Sequence, residues 1–448
     1  MHVRFNNEKT MRFGFCSIIF LLCQVAIAQP SGMKINTYDI NANLDLSTKK
    51  MFVDIQLNIQ RPDTSSIFIF LLCHFATLES VRAEDQKEIP FSLSKQDTLT
   101  IRFPKNHEEN SNFTIFFSYS LPADSFMVHR EMYVMKRYDH WYPIQYGHLF
   151  NSTLKISVPE NQITLSNGTC TKKIKSGKRN LFIWKTNSEN DLALFVFNPD
   201  SMNYHTEYLS GIKMDFYFIP GLKDAQKIIS LVKSSFSFYS KLLGPYQNDS
   251  FTVIELPADW FLGQGLHTLL LFTPGLLEYI PDPGDWVPHE IGHQWIGNII
   301  PIDEQSNGRW FVEESFNEYL RAMYIEHEYG NDSLKSVLKN VSLANYNVLV
   351  KEGKDVSVFD VNSVSNSTEE AQCIYAKGPM ILHQLRKCIG DKDWNDLMKR
   401  IYNDFQNRIF TLQDLKIYIS KYDNDGNCLK SFNDFLTSKG IPETLCAY

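Results

Sequence analysis

The chain has 448 residues, with 44 basic against 51 acidic side chains and a formal net charge of −7, which excludes an extended basic surface for nucleic acid. Hydrophobic residues make up 43% of it, and no low-complexity tract, heptad run or internal repeat interrupts it. Disordered, fibrous and solenoid architectures are thereby set aside in favour of roughly two to three globular domains.

At the start, Arg4, Lys9 and Arg12 accompany an apolar run from Phe13 to Leu22, and Ala26-Ile27-Ala28 forms a small-x-small cleavage site before Gln29. Residues 1–28 read as a signal peptide cleaved after Ala28, since the apolar run is short for a membrane span, and the protein reads as secreted or periplasmic. Cys16 and Cys23 lack the small preceding residue of lipoprotein processing. Removing the leader takes away one acid and three basic residues and leaves a net charge of about −9. No later stretch is long and apolar enough to make a stable membrane span. Asn112, Asn151, Asn167 and Asn366 stand in Asn-x-Ser/Thr sequons, which matter only in a eukaryotic secretory pathway.

Residues 29–208 are strand-like. Met51 to Leu57, Ser66 to Phe70 and Phe113 to Phe117 are rich in β-branched and aromatic residues and bounded by turn formers, which predicts a β-sandwich. The stretch Arg137-Tyr138-Asp139-His140-Trp141-Tyr142-Pro143 reads as core or sheet edge, with a reach into a cleft as the alternative. From Lys223 the pattern turns helical, with Ile228, Ile229, Val232, Phe236 and Tyr239 on one side, followed by short strands at Phe251 to Leu256 and Thr268 to Thr273. Beyond Asp285 the chain is nearly all helix, so residues 209–448 read as a small sheet feeding a helical lobe.

His289-Glu290-Ile291-Gly292-His293 lies at the start of that lobe. Pro281-Asp282-Pro283-Gly284 breaks the chain, Asp285 is the expected N-cap, and Pro288 falls in the first turn, where its missing N–H is no loss. Val287, Ile291, Trp295 and Ile299 form an i, i+4 stripe for a core, which leaves His289 and His293 together on a neighbouring face, spaced to grip one metal ion. Glu290 sits beside the open coordination position, where a carboxylate can accept a proton from water. A third ligand is needed. The amphipathic segment Trp310 to Leu320 offers Glu314, with Glu313 as its rival, and Glu318 one turn further on is placed to orient a ligating imidazole.

After the leader, Cys73, Cys170, Cys373, Cys388, Cys428 and Cys446 remain. The local pairings Cys428 with Cys446 and Cys373 with Cys388 are the expected disulfides, with buried free thiols as the alternative.

These motifs resemble the gluzincin metallopeptidases of the aminopeptidase N and leukotriene hydrolase group. HEIGHQWIGN is similar to that family's HExxHxW helix, EESFNEYL to its Asn-Glu-Gly-Phe ligand helix, and Tyr375-Ala376-Lys377-Gly378 to its Tyr-x-Lys-Gly segment, on a helix from about Thr368 to Cys388. Gly244-Pro245-Tyr246 and the run from Phe251 to Pro257 resemble the strand leading to its substrate edge. The resemblance covers about Ser210 to the C-terminus and implies a zinc peptidase: one zinc per chain on His289, His293 and Glu314, Glu290 as general base, and Tyr375 as the oxyanion donor. It also implies an α+β chain in which the β-sandwich precedes a thermolysin-like domain, in a member lacking the family's C-terminal domains and hence with a more open cleft.

Two departures qualify it. The loop between His293 and Glu314 is longer than the family's usual one, which a loop absorbs at little cost. The family's Gly-x-Met-Glu-Asn segment, whose acid binds a substrate amine, falls at Gly263, Gln264, Gly265, Leu266 and His267, where no carboxylate stands. These five residues are the expected substrate-binding segment, Asp259 or Glu255 the nearest replacement anchors, and Thr268 to Thr273 the strand expected to pair with an extended substrate. The expected activity is peptide-bond hydrolysis by an aminopeptidase. The alternatives are an endopeptidase or small-molecule hydrolase needing no free amino terminus, and a non-catalytic binding protein.

Overall fold

Period-two alternation of apolar side chains builds the first half of the computed structural model, which describes residues 33–60, 67–102, 112–129, 132–258, 262–361 and 368–440. The leader (1–28), Asp259, the Asn366 sequon and Cys446 lie outside the described residues. In the strand Lys50–Gln60, Met51, Val53, Ile55, Leu57 and Ile59 are buried while their neighbours face outward. It is an interior strand of a seven-stranded sheet ordered Thr169–Ser176, Arg179–Glu189, Phe150–Pro159, Lys34–Asp45, Lys50–Gln60, Asn112–Pro122, Thr77–Ala83. A four-stranded and a three-stranded sheet share its core, around Tyr38, Phe117, Tyr119, Trp141 and Tyr142. The fold class is α+β, as expected. Of the aromatic stretch, Trp141 and Tyr142 belong to the core, whereas Tyr138 is exposed and Arg137 makes a paired-nitrogen contact to Glu304, far along the chain (Nη2 to Oε2, 2.8 Å).

A five-stranded sheet follows, ordered Asn203–Leu209, Ile212–Phe218, Ser250–Glu255, Leu269–Phe272, Gly263–Leu266, with its three inner strands parallel and both outer ones antiparallel. Both faces of this sheet are covered. Ile254, Leu256, Leu269 and Leu271 join the core of the N-terminal sheets, and Phe251, Val253, Leu270 and Phe272 join that of the helices. This double burial explains the unbroken Leu269-Leu270-Leu271-Phe272 run. It also corrects one expectation: Leu269–Phe272 is paired on both sides, so the free edge belongs to Gly263–Leu266, and the segment from Thr268 to Thr273 cannot pair with a substrate.

The helix Ala225–Leu242 packs on this sheet and holds the motif helix, Val287–Gly292, through Tyr239, whose hydroxyl donates to Pro288 O at 2.8 Å. The stripe Val287, Ile291, Trp295 and Ile299 is buried as read. Asp285 is not the cap: it ends a separate turn, Pro283–Asp285, which Asp282 caps by accepting from Gly284 N, and the helix begins behind Trp286. Downstream, the expected ligand and tyrosine helices each open into a π-helical turn, Phe311–Ser315 ahead of Phe316–Tyr329 and Cys373–Lys377 ahead of Gly378–Ile389.

The disulfide joins Cys388 to Cys428, tying Gly378–Ile389 to Asn427–Thr437. The expected Cys373–Cys388 pair fails because both residues lie on one helical run, about 22 Å apart at 1.5 Å per residue, beyond the roughly 7 Å a disulfide spans. Cys428 is thereby taken from the other expected pairing, and Cys373 is a buried free thiol. Among the described residues no helix is long and apolar enough to cross a membrane.

Candidate metal centre

The two π-helical turns meet where the site forms. Ser315 Oγ donates to Ile374 O at 2.8 Å, and a Cβ on Gly378 would lie 1.9 Å from Ser315 Oγ, so only glycine permits this crossing. The approach sets Glu314 and Tyr375 side by side, with the Tyr375 hydroxyl donating to Glu314 Oε2 at 2.8 Å.

On the motif helix, His289 Nε2 and His293 Nε2 stand 3.2 Å apart, and Glu314 Oε2 is 3.3 Å from the first and 3.6 Å from the second. Three donors bound to zinc at about 2.0–2.1 Å in tetrahedral directions would be separated by about 3.4 Å, so the three atoms fit the ion's coordination edges. His289, His293 and Glu314 together form a group able to hold a metal, with both histidines buried. Glu313, the rival, makes no such contact. Burial and the neighbouring Glu314 charge push it up to about 7, whereas Glu314, despite its burial, is held well below the carboxylate range by His293 and His289.

Each imidazole has a side chain against its outer nitrogen. Glu318 Oε2 lies 3.2 Å from His289 Nδ1 and is held in turn by Arg321. Burial alone would raise Glu318, but Arg321 and His289 bring it down to about 2, so it is an anion ready to accept an imidazole N–H. Burial would lower His289, yet Glu314 and Glu318 push it up to about 10. The ligand pocket is thus strongly negative and calls for a cation, either protons or a metal. On His293, Asn317 Nδ2 lies 2.8 Å from Nδ1, and its two N–H bonds are directed at Ile296 O and Glu313 O. Asn317 escaped the sequence reading. That reading weighed only Glu313, Glu314 and Glu318 as the segment's polar site residues.

Glu290 lies against the free edge of the sheet. Its Oε2 accepts from Gly265 N at 2.8 Å, and burial raises its pKa, with the two histidines opposing. The glycines explain themselves here. A Cβ on Gly265 would meet Glu290 O at 2.3 Å and His293 Cβ at 2.9 Å, and one on Gly263 would meet Glu290 Oε1 at 3.1 Å. Only a bare backbone lets the edge strand pass this close to the motif helix. On the strand's other face, Gln264 accepts from Lys136 Nζ at 3.3 Å and Leu266 is buried in the N-terminal core. His267 turns away to Glu189 at 2.7 Å. Of the suggested amine anchors, Glu255 sits two strands in from the edge and accepts from Ile219 N at 2.8 Å, with burial pushing it up to about 7.

A histidine pair and a glutamate on crossing helices, a carboxylate beside them and a sheet edge alongside define a zinc-hydrolase type of centre on a sheet-and-helix lobe. Residues 282–436 match the peptidase family M1 domain. By sequence it is similar to Aminopeptidase 2, mitochondrial, of Saccharomyces cerevisiae, 24% identical over 292 residues, covering 60% of this chain and 29% of the relative. It is also similar to the leukotriene A-4 hydrolase homolog of Botryotinia fuckeliana, 22% identical over 235 residues, covering 50% and 34%. The chain thus spans about a third of the length of these curated relatives. In structure it resembles the M1 zinc metallopeptidase of Deinococcus radiodurans, with a TM-score of 0.71 at 13% identity over 93% of this chain and 96% of that one. A mutant of that enzyme bound to a Tyr-Ser-Ala substrate gives 0.70. The fold is that of two-domain M1 zinc metallopeptidases.

Proposed function

We propose that the chain is a zinc metallopeptidase and, by first choice, an aminopeptidase. The observation that carries this reading is the convergence of His289, His293 and Glu314 at tetrahedral spacing with Glu290 and Tyr375 beside them. Zinc in that place supplies Lewis acidity, polarising a carbonyl and lowering the pKa of water from 15.7 to about 7. The protein's own groups do the rest. The strand Gly263–Leu266 offers an extended peptide a backbone edge next to Glu290. Glu290 takes a proton as the water oxygen bonds to the scissile carbonyl carbon, then returns it to the amide nitrogen as the carbon–nitrogen bond breaks. Tyr375 donates to the oxygen that becomes an anion; burial, together with the charge of Glu314, raises its pKa well above 10, so it keeps its proton throughout the working range.

The named relatives support the aminopeptidase choice, while Leu266, standing where an amine-binding acid was expected, favours a hydrolase that does not require a free amino terminus. Hydrolysis of matched free and amino-blocked peptides, with and without a chelator, separates these readings; no zinc-dependent hydrolysis of either would sink both. We also propose a division at about residue 208, supported by the core of the helical lobe, whose buried residues all lie from Ile212 to Leu436. Export past an oxidising boundary is proposed from the leader and is supported by the Cys388–Cys428 disulfide; the exported protein should begin at Gln29 on amino-terminal sequencing.

A further inference from the structure

A cation stands against the free edge strand. Lys136 follows the strand Met132–Met135, in the four-stranded sheet, and its Nζ donates to Gln264 Oε1 at 3.3 Å. Gln264 lies between the two glycines that flank Glu290, on the face opposite to them, and the next side chain on that face is the apolar Leu266. Among the described residues no carboxylate comes within ion-pair distance of Lys136 Nζ. Asp139, which accepts from the Lys136 backbone N–H at 2.7 Å, and Asp191 both act on the ammonium, but from beyond ion-pair distance. The ammonium is therefore a partly buried charge with one neutral hydrogen-bond partner in contact, and burial lowers its pKa while Asp139 and Asp191 oppose the shift. A charge withdrawn from water with no counter-ion in contact is costly unless something completes its shell. Three donors on Lys136 and one accepting amide leave room for a further acceptor. Arg137, beside it in sequence, is already paired with Glu304.

We propose that Lys136, steadied by Gln264, is the specificity-determining cation of the edge-strand subsite and receives a carboxylate of the substrate there. This rests on the peptidase reading of the neighbouring metal centre and deepens it, by naming an anionic substrate group where a cationic amine would meet a like charge. The carboxylate belongs to a residue or cap held along Gly263–Leu266: an acidic side chain, or a dicarboxylic acyl group on the amino terminus. Both present the same chemistry to Lys136. A substrate ammonium placed there would be repelled.

The test uses the zinc-loaded full chain and matched chromogenic amides differing only in the amino-terminal residue (Glu, Gln, Lys), alongside a succinyl-Ala and acetyl-Ala pair. The parent should prefer Glu to Gln, or succinyl to acetyl, by about tenfold or more in kcat/KM, and which pair shows it tells side chain from cap. Lys136→Met should bring that ratio to near one, and Lys136→Glu should invert it in favour of the Lys substrate, an exchange that a merely structural role would not produce. A ratio unchanged in Lys136→Met overturns the inference while leaving the peptidase reading intact. Should no amide be hydrolysed, the peptidase reading fails separately. The inference is then decided by calorimetric binding of succinyl-Ala and acetyl-Ala amides to parent and Lys136→Met proteins: preference for the succinyl compound, lost in the variant, upholds it, and equal binding refutes it.

Discussion

Replacing Glu290 by Gln separates metal binding from proton transfer. The side chain accepts from Gly265 N at 2.8 Å, and a glutamine oxygen at the same place can still do so, so the edge strand and the motif helix should stay together. None of the three atoms at tetrahedral spacing belongs to Glu290, so zinc content should match the parent. What is lost is the base. A positioned acid–base group contributes about 10²–10⁴ in rate, or about 2.7–5.4 kcal/mol of activation free energy, and the amide supplies none of it. The assay pairs zinc per chain with kcat on a peptide amide that the parent cleaves, and thermal unfolding confirms that the fold is kept. Full zinc with kcat within a few-fold of the parent would show that another group moves the proton. Loss of zinc along with kcat would show that Glu290 holds the metal and that the donor set is misread.

Tyr375→Phe removes one oxyanion donor and should lower kcat by about 10²–10³ with little change in KM; a loss confined to KM would place Tyr375 in binding instead. Asp191 is buried with one oxygen unpartnered, and its carboxyl is pushed up to about 7 by burial, against Arg137 and with Glu189. The folded state then holds a proton that the unfolded chain releases near its ordinary value of 3.8, so this contribution to stability is present below about pH 4 and fades as pH rises through about 7. Asp191→Asn should flatten the fall in Tm between about pH 5 and about pH 8, an effect on the order of a few kcal/mol at most. An unaltered Tm profile would assign the pH dependence to other groups.

What the sequence revealed was what local spacing controls. His289 and His293 four apart, the apolar stripe behind them, and Glu314 ahead of Phe316 were legible because a helix converts spacing directly into direction. The double burial of the five-stranded sheet was not, because alternate residues of Leu269–Phe272 serve two different cores and leave no polar face to read. That is why the free edge was placed one strand too far along. The disulfide was misread for a related reason: Cys388 and Cys428 are 40 residues apart and are brought together only by helix packing. Asn317 and Lys136 are invisible to any motif, since each acquires its place through a partner remote in sequence, His293 for one and Gln264 for the other. The glycines Gly263, Gly265 and Gly378 carried a signal of close approach, but only the structure shows which backbone or side chain comes near.

The most direct measurement of the central claim is zinc per chain, by metal analysis after dialysis, in the parent, Glu314→Gln and Glu313→Gln proteins. The geometry at His289, His293 and Glu314 predicts one zinc in the parent and in Glu313→Gln, and loss of it in Glu314→Gln. Equal zinc in parent and Glu314→Gln, or loss in Glu313→Gln alone, would contradict the assignment of the ligand set.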